Sequence, residues 1–221
     1  MLDKNLLLVD IGGTNIRYAY SNIGASDFVS ENKAELDSLT NFDNLMSKLL
    51  AESNVKNTVF SVAGPKVNNS IKMTNRNFEI DAEAIKQRFN LESCHLLNDW
   101  ESIGYSMKTF SENDFDNFKE GEPFNDTFLV VGPGTGLGAS VISGNNVIAT
   151  EIGNTNLGLS ALKSLLNINS DEFIVLEDII SGTGISRMFE TKTRNKVKSE
   201  EIFSLSLKGD NNAKEVIDIF T

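Results

Sequence analysis

Residues 130–140, VVGPGTGLGAS, place glycines at 132, 134, 136 and 138 inside an apolar run. Three arrangements produce such spacing: a phosphate cradle, a dinucleotide fingerprint and a plain tight turn. A dinucleotide fingerprint needs a helix after the loop, because the helix N-terminus meets the pyrophosphate. Here ASVIS, the turn GNN and VIAT follow instead, a strand-turn-strand pattern, so the context the fingerprint requires is missing. The sequence has no Gly-Lys-Ser or Gly-Lys-Thr, which excludes a Walker A loop. What remains is a hairpin turn, or a nest of backbone N–H groups that glycine lets an anion approach.

The same device occurs near the N-terminus. NLLLVD (5–10) is a continuous apolar run, IGGTN is a glycine turn, and IRYAYS resumes with Ile16, Tyr18 and Tyr20 alternating. A single such turn most often just closes a hairpin. Two of them, each ending an apolar strand and each carrying a threonine (Thr14, Thr135), favour a pair of loops gripping one polyphosphate. Asp10 points the same way: a carboxylate at the end of a buried strand is costly unless it meets a cation. Mg2+ bridging two phosphates supplies one.

Bulk properties exclude several other chemistries. With 31 Asp and Glu against 20 Lys and Arg, and a net charge of -11 over 221 residues, the surface repels nucleic acid and anionic membranes. Cys94 is the only cysteine and His95 the only histidine, so no zinc site of several Cys or His ligands is expected. A disulfide framework is excluded too, which suits a reducing cytoplasm. MLDKNLLLVDIGG lacks the long apolar region and cleavage site of a signal peptide, and no run reaches the length of a membrane helix.

Between the glycine turns, Phe42, Leu45, Met46, Leu49 and Leu50 repeat at helical spacing, with Asn41 as the expected N-cap. TVFSVAG (58–64) reads as a strand stopping at Gly64-Pro65. Asp81 caps a helix holding Ala84, Ile85 and Phe89, CHLL is a short strand with His95 in its core or at its edge, and NDWESIGYSM opens another helix. The polar, acidic stretch KTFSENDFDNFKEGEPFNDT predicts a linker or excursion, and hence domains over 1–108 and 109–221. Beyond the second hairpin, helices are expected over 157–166, 172–180 and 184–192, with two short segments up to Phe220.

DIGGTNIRYAY, SVAGP…MTNRNFEI, LLNDWESIGYS, VVGPGTGLGAS, EIGN and LEDIISGTGISRMFE occur in the order seen in bacterial glucokinases of the ATP-dependent hexokinase superfamily, which the chain therefore resembles. The resemblance implies an α/β, two-lobed, actin-like and ribonuclease H-like fold with ATP and a hexose between the lobes. It implies ATP contacts from Val9, Asp10, Ile11, Gly12, Gly13 and Thr14, and from Gly132, Gly134, Thr135 and Gly136, with Asp10 meeting Mg2+ indirectly. Asp99 is by that similarity the base for the hexose primary hydroxyl, and Asn98, Glu151, Asn154 and Glu177 join it in binding the sugar. Plainer roles stay open: Asn98 or Asp99 as helix cap, Glu151 as an exposed strand end, Glu177 as a surface helix residue.

One position departs from the pattern. Glucokinases carry Glu-x-Gly-His where this chain has Glu151-Ile152-Gly153-Asn154, and Asn reaches differently from His. A hexose is expected, with glucose to glucose 6-phosphate as the leading reaction. The related repressor and sugar-kinase group has a Cys-rich zinc motif that a single cysteine cannot supply. The family's chain also continues past the point matching Thr221, through a third glycine turn contacting adenosine and a final helix, which implies an incomplete second lobe. An exposed sheet edge, and with it self-pairing such as a homodimer, is therefore expected. The rival expectation is a non-catalytic sugar-binding or inert fragment of such a kinase.

Overall fold

The computed structural model describes residues 4–12, 15–35, 38–53, 55–73, 78–119, 121–122, 125–156 and 172–221. It divides into two compact units, residues 1–123 and 124–221, so the polar excursion is counted with the first.

The first unit is built on a five-stranded sheet. β1 (Leu6–Ile11) pairs antiparallel with β2 (Asn15–Ser21), which pairs antiparallel with β3 (Val29–Glu35). On its other side β1 runs parallel to β4 (Asn57–Val62). A small three-stranded sheet, β5 (Lys66–Val67), β6 (Ser70–Lys72) and β7 (Glu79–Asp81), follows β4. β8 (Ser93–Asn98) completes the main sheet as the parallel neighbour of β4, giving the order β3-β2-β1-β4-β8.

Alternation decides which face is buried. Leu7, Val9 and Ile11 of β1, Phe60 and Val62 of β4 and Leu96 of β8 are at most 3% exposed and enter one core. α1 (Leu39–Glu52) brings Phe42, Met46 and Leu49 to that core, each burial worth about 1.5–3 kcal/mol. Phe42 packs on both Phe60 and Phe78. The cap of α1 is Ser38 rather than Asn41: its side chain accepts from the Asn41 N–H at 3.1 Å, which puts Asn41 inside the first turn. α2 (Ala82–Arg88) is capped by Asp81, and α3 (Asp99–Ser106) starts directly from β8. His95 is exposed on β8, the strand at the sheet edge. In the excursion two single 3-10 turns, Met107–Thr109 and Glu112–Asp114, interrupt exposed irregular chain.

The second unit opens with the expected hairpin. β9 (Thr127–Pro133), β10 (Leu137–Ser143) and β11 (Asn146–Thr150) form an antiparallel sheet in the order β11-β10-β9. β9 is an edge among the described residues, with Phe128, Leu129 and Val131 each 46–56% exposed. The helix expected over 157–166 lies outside the described residues.

The expected helix over 172–180 is not found: only a 3-10 turn, Leu176–Asp178, forms there. Asp178 is the reason, because its carboxylate accepts from the N–H groups of Ile174 and Val175 at 2.8 and 2.9 Å. Such local bonding competes with the helical ladder. Ser181 then caps α4 (Gly182–Thr193), which is followed by α5 (Ser199–Leu207) and α6 (Asn211–Phe220). Phe173, Ile179, Ile185, Met188, Phe189, Ile202, Ala213 and Val216 make the core these helices share.

Candidate functional site

In the first unit the register of the parallel strands lines up their C-terminal ends. Asp10 stands beside Ser61 and Ser61 beside Leu97; one residue on, Ile11, Val62 and Asn98 align. Ligands of open α/β sheets collect at such ends. Asp10 is paired with Arg17 of β2, Nη1 to Oδ2 at 3.2 Å. Gly12 donates to the Asn15 carbonyl at 3.0 Å and closes the turn; Gly13 and Thr14 lie outside the described residues. On the same sheet a cavity of about 350 Å3 is lined by Leu8, Asp10, Arg17, Val59, Ser61 and Leu97, among others.

Asn98 and Asp99 sit where β8 becomes α3. Asn98 is the cap the plainer reading allowed: its Oδ1 accepts from the N–H groups of Trp100 and Glu101 at 2.9 and 3.3 Å. Its Nδ2 donates to the Gly64 carbonyl at 2.8 Å, and its own N–H donates to Glu101 Oε2 at 3.1 Å. Glu101, only 8% exposed, is paired with Lys66 Nζ at 3.2 Å. Asp99 is the first residue of the helix. Burial pushes its carboxyl above the usual carboxylate range and the nearby Asp10 charge pushes the same way, against the Trp100 N–H bond that lowers it. A rise in that direction makes the carboxylate a better proton acceptor.

The second unit gathers a different set. The Gly134 and Thr135 carbonyls are held by the start of α4: Gly182 N–H donates to Gly134 at 2.8 Å, and the Thr183 hydroxyl donates to Thr135 at 2.7 Å. Gly134 N–H donates to the Gly132 carbonyl. The amides of Thr135 and Gly136 have no partner among the described residues, the condition an anion nest requires. None of the described glycines in either loop has a positive φ. Their missing Cβ matters for room instead. At Gly134 no atom lies within 4 Å of a Cβ position, whereas at Gly136 a Cβ would stand 2.7 Å from Glu177 Oε2.

Glu177 is therefore not a surface helix residue. It lies in the Leu176–Asp178 turn, and its Oε2 accepts from Leu137 N–H at 3.2 Å, tying it to the glycine loop. A Cβ at Gly153 would also meet this carboxylate at 3.1 Å and the Leu137 carbonyl at 2.6 Å. Glu151 precedes the 3-10 turn Ile152–Asn154 and Asn154 ends it; both are exposed, with Asn154 Nδ2 donating to Glu151 Oε2 at 3.3 Å. The second unit thus brings Glu151, Asn154 and Glu177 around turns that contact the 132–137 loop, and the first brings Asp10, Asn98 and Asp99 to one row of strand ends.

Lys66, Glu101, Arg17 and Thr183 belong to these constellations without having been candidates. For Glu101 a signal exists, the Asn-x-x-Glu spacing of a capping box. For Lys66 none does, since its partner is 35 residues away. No cluster of three or more Asp, Glu, His or Cys able to hold a metal occurs among the described residues.

A glucokinase family model matches residues 7–221. The glucokinase of Nostoc punctiforme is 30% identical over 152 residues, covering 64% of this chain and 45% of that protein. That of Neisseria meningitidis serogroup C is 27% identical over 236 residues, covering 97% and 71%. The chain spans 45–62% of the length of the first four curated relatives it matches. Among solved structures, a glucokinase from an Antarctic psychrotroph superposes with a TM-score of 0.77 at 22% identity, covering 100% of this chain and 76% of that one. A ROK family glucokinase from Streptomyces griseus in complex with glucose and AMPPNP gives 0.63 at 18%, covering 97% and 75%. At these identities the likeness is one of fold, and that fold is the actin-like, ribonuclease H-like α/β class expected from the sequence.

Proposed function

Because the chain belongs to the glucokinase family over residues 7–221, we propose that it acts as an ATP-dependent hexose kinase, forming glucose 6-phosphate from glucose, or the 6-phosphate of a closely related hexose, at the entry to glycolysis. The observation that carries the reading is Asp99: a carboxylate at the end of a parallel strand, fixed by the capped start of α3, with its proton affinity raised by burial and by Asp10.

In this reading the primary hydroxyl oxygen of the sugar attacks the γ-phosphorus, the bond from that phosphorus to the β,γ-bridging oxygen breaks, and the hydroxyl proton passes to Asp99. Phosphoryl transfer needs mainly positioning and charge neutralisation, plus one group to orient the nucleophile. Asn98 donates to a sugar oxygen, the Glu151 and Glu177 carboxylates accept from sugar hydroxyls, and Asn154 accepts from or donates to another. Residues 9–14 and Gly132, Gly134, Thr135 and Gly136 are assigned to the ATP phosphates, supported by the amides of Thr135 and Gly136, which have no partner among the described residues.

Mg2+ keeps most of its waters and binds through one or two carboxylates plus substrate phosphates. Asp10 offers one carboxylate for contact through water, but it is half-exposed and already paired with Arg17 at 3.2 Å. The cation expected at a buried Asp10 is therefore not required, and an ion would share this carboxylate with Arg17. When bound, the ion neutralises phosphate charge. A reaction using ATP fits the cytoplasm, and no helix among the described residues is long and apolar enough to cross a membrane.

Glucose-dependent ADP formation in a coupled assay tests the proposal; its absence at saturating glucose and MgATP sinks it. A second reading, sugar binding without turnover, is favoured by Asn154 standing where the family has His and bonding to Glu151. Calorimetry separates the two, since glucose binding with no nucleotide binding supports the second.

A further inference from the structure

The side-chain amide of Asn98 is almost fully committed within the protein. An Asn oxygen has two lone pairs and its nitrogen two hydrogens. Oδ1 takes the N–H groups of Trp100 and Glu101, and Nδ2 gives one hydrogen to the Gly64 carbonyl. The second Nδ2 hydrogen has no acceptor among the described residues, and its direction is set by whatever holds Gly64 and α3 together.

That fastening has a second point. Lys66 Nζ lies 3.2 and 3.4 Å from the two Glu101 carboxylate oxygens, and Glu101 Oε2 also accepts from the Asn98 N–H. Lys66 is two residues beyond Gly64 on the other side of Pro65. The loop is closely packed at its start: Gly64 has φ +146, and a Cβ there would stand 2.7 Å from the Lys72 carbonyl. The side chains of Lys66 and Glu101 are 26% and 11% exposed. A carboxylate that far from water needs its partner, and removing one member leaves the other charge uncompensated.

We propose that Lys66 and Glu101 form a positioning pair that clamps the loop after β4 to the first turn of α3 and thereby aims Asn98 and Asp99 at the acceptor sugar. The pair touches no reacting atom; it acts through Asn98. This inference rests on the hexose kinase reading of the Asn98-Asp99 site. Misplacing a reacting group by about 1 Å can cost about 100-fold in rate, so a pair that acts through Asn98 matters to the rate without touching a reacting atom.

Trp100 makes the test independent of turnover. It is the only tryptophan, and its backbone N–H is bonded to Asn98 Oδ1, so its emission reports the start of α3. The experiment compares Lys66→Met, Glu101→Gln, the double variant and Lys66→Arg by Trp100 emission, by glucose affinity in calorimetry and by kcat and KM. Lys66→Met and Glu101→Gln are expected to shift Trp100 emission and to lower kcat about 10- to 100-fold. The double variant should be no worse than either single one, since the two act as a unit, and Lys66→Arg should restore both readouts. Unchanged Trp100 emission and kcat in both single variants overturns the proposal, and so does a fall in Tm with those two readouts unmoved, which marks a merely structural ion pair. If the unaltered chain shows no turnover, the kinase reading fails and Trp100 emission decides the clamp alone.

Discussion

At the scale of single residues, the two carboxyls with shifted proton affinity next to functional turns pull in opposite directions. Asp99 has a folded-state pKa above its ordinary value, chiefly through burial. The folded chain therefore holds that proton to higher pH than the unfolded chain, and stability declines as pH rises from the ordinary value through the raised one. Above it the cost stays. Asp99→Asn removes that cost, so thermal unfolding of this variant at neutral pH should show a Tm no lower than that of the unaltered chain, with a flatter acid-side profile. A clear loss of Tm would mean that Asp99 is a structural group.

Two glycines around Glu177 differ in what surrounds them. A Cβ at Gly136 meets the end of the Glu177 side chain, which can swing away, whereas at Gly153 it meets the Leu137 backbone carbonyl at 2.6 Å. Gly153→Ala should therefore cost about 1–3 kcal/mol, the usual range for overpacking, and Gly136→Ala less. Denaturant titration of both variants checks the order. Asn98 shows that the cap and the proposed sugar contact are compatible: its oxygen caps α3, while its Nδ2 has one hydrogen without an acceptor among the described residues.

At the scale of elements, the sequence was most readable where period and turn chemistry agreed. The continuous apolar run of 5–10 and the alternation in 16–20 mark β1 and β2, the Leu-Phe-Met spacing marks α1, and Gly144 at φ 56 closes the hairpin that follows the glycine loop. It failed where a side chain captured the backbone. Leu176 to Ile180 has helical spacing, yet Asp178 bonds the amides of Ile174 and Val175 and pairs with Arg187, which stops the segment at one turn. Ser38 likewise takes the cap that Asn41 was expected to hold, because an N-cap must precede the helix by enough to reach its third amide.

Asp178 carries the opposite linkage from Asp99. Burial, the largest single influence, raises its pKa, and the Val175, Ile174 and Arg187 donors together outweigh it, so the folded value is depressed. Its contribution to stability is present above the unfolded value and lost as pH falls through the folded one. Asp178→Asn should therefore cost about 1 kcal/mol at neutral pH, typical of a lost capping side chain. The difference from the unaltered chain should shrink in acid, as Tm measured against pH will show. A difference independent of pH contradicts the assignment.

At the scale of the whole molecule, composition narrowed the expectations. A net charge of -11, one cysteine and one histidine argue against nucleic-acid, disulfide and zinc chemistry, and two glycine turns on apolar strands carried the phosphate reading. What could not be read was how each unit supports its candidates: the Lys66–Glu101 pair spans 35 residues and the Glu177–Leu137 bond spans 40, and no local pattern announces a partner that distant. The second sheet leaves Phe128, Leu129 and Val131 on an exposed edge strand among the described residues. Such an edge invites pairing with another chain.

The measurement that bears most directly on the account is the rate of glucose-dependent ADP formation by the unaltered chain and by Asp99→Asn at saturating glucose and MgATP, with glucose affinity measured by calorimetry beside it. Loss of general-base catalysis costs about 100- to 10,000-fold, so the account predicts turnover that collapses by that factor in Asp99→Asn while glucose affinity changes only a few-fold. Turnover retained in the variant, or glucose affinity lost in step with it, contradicts Asp99 as the base.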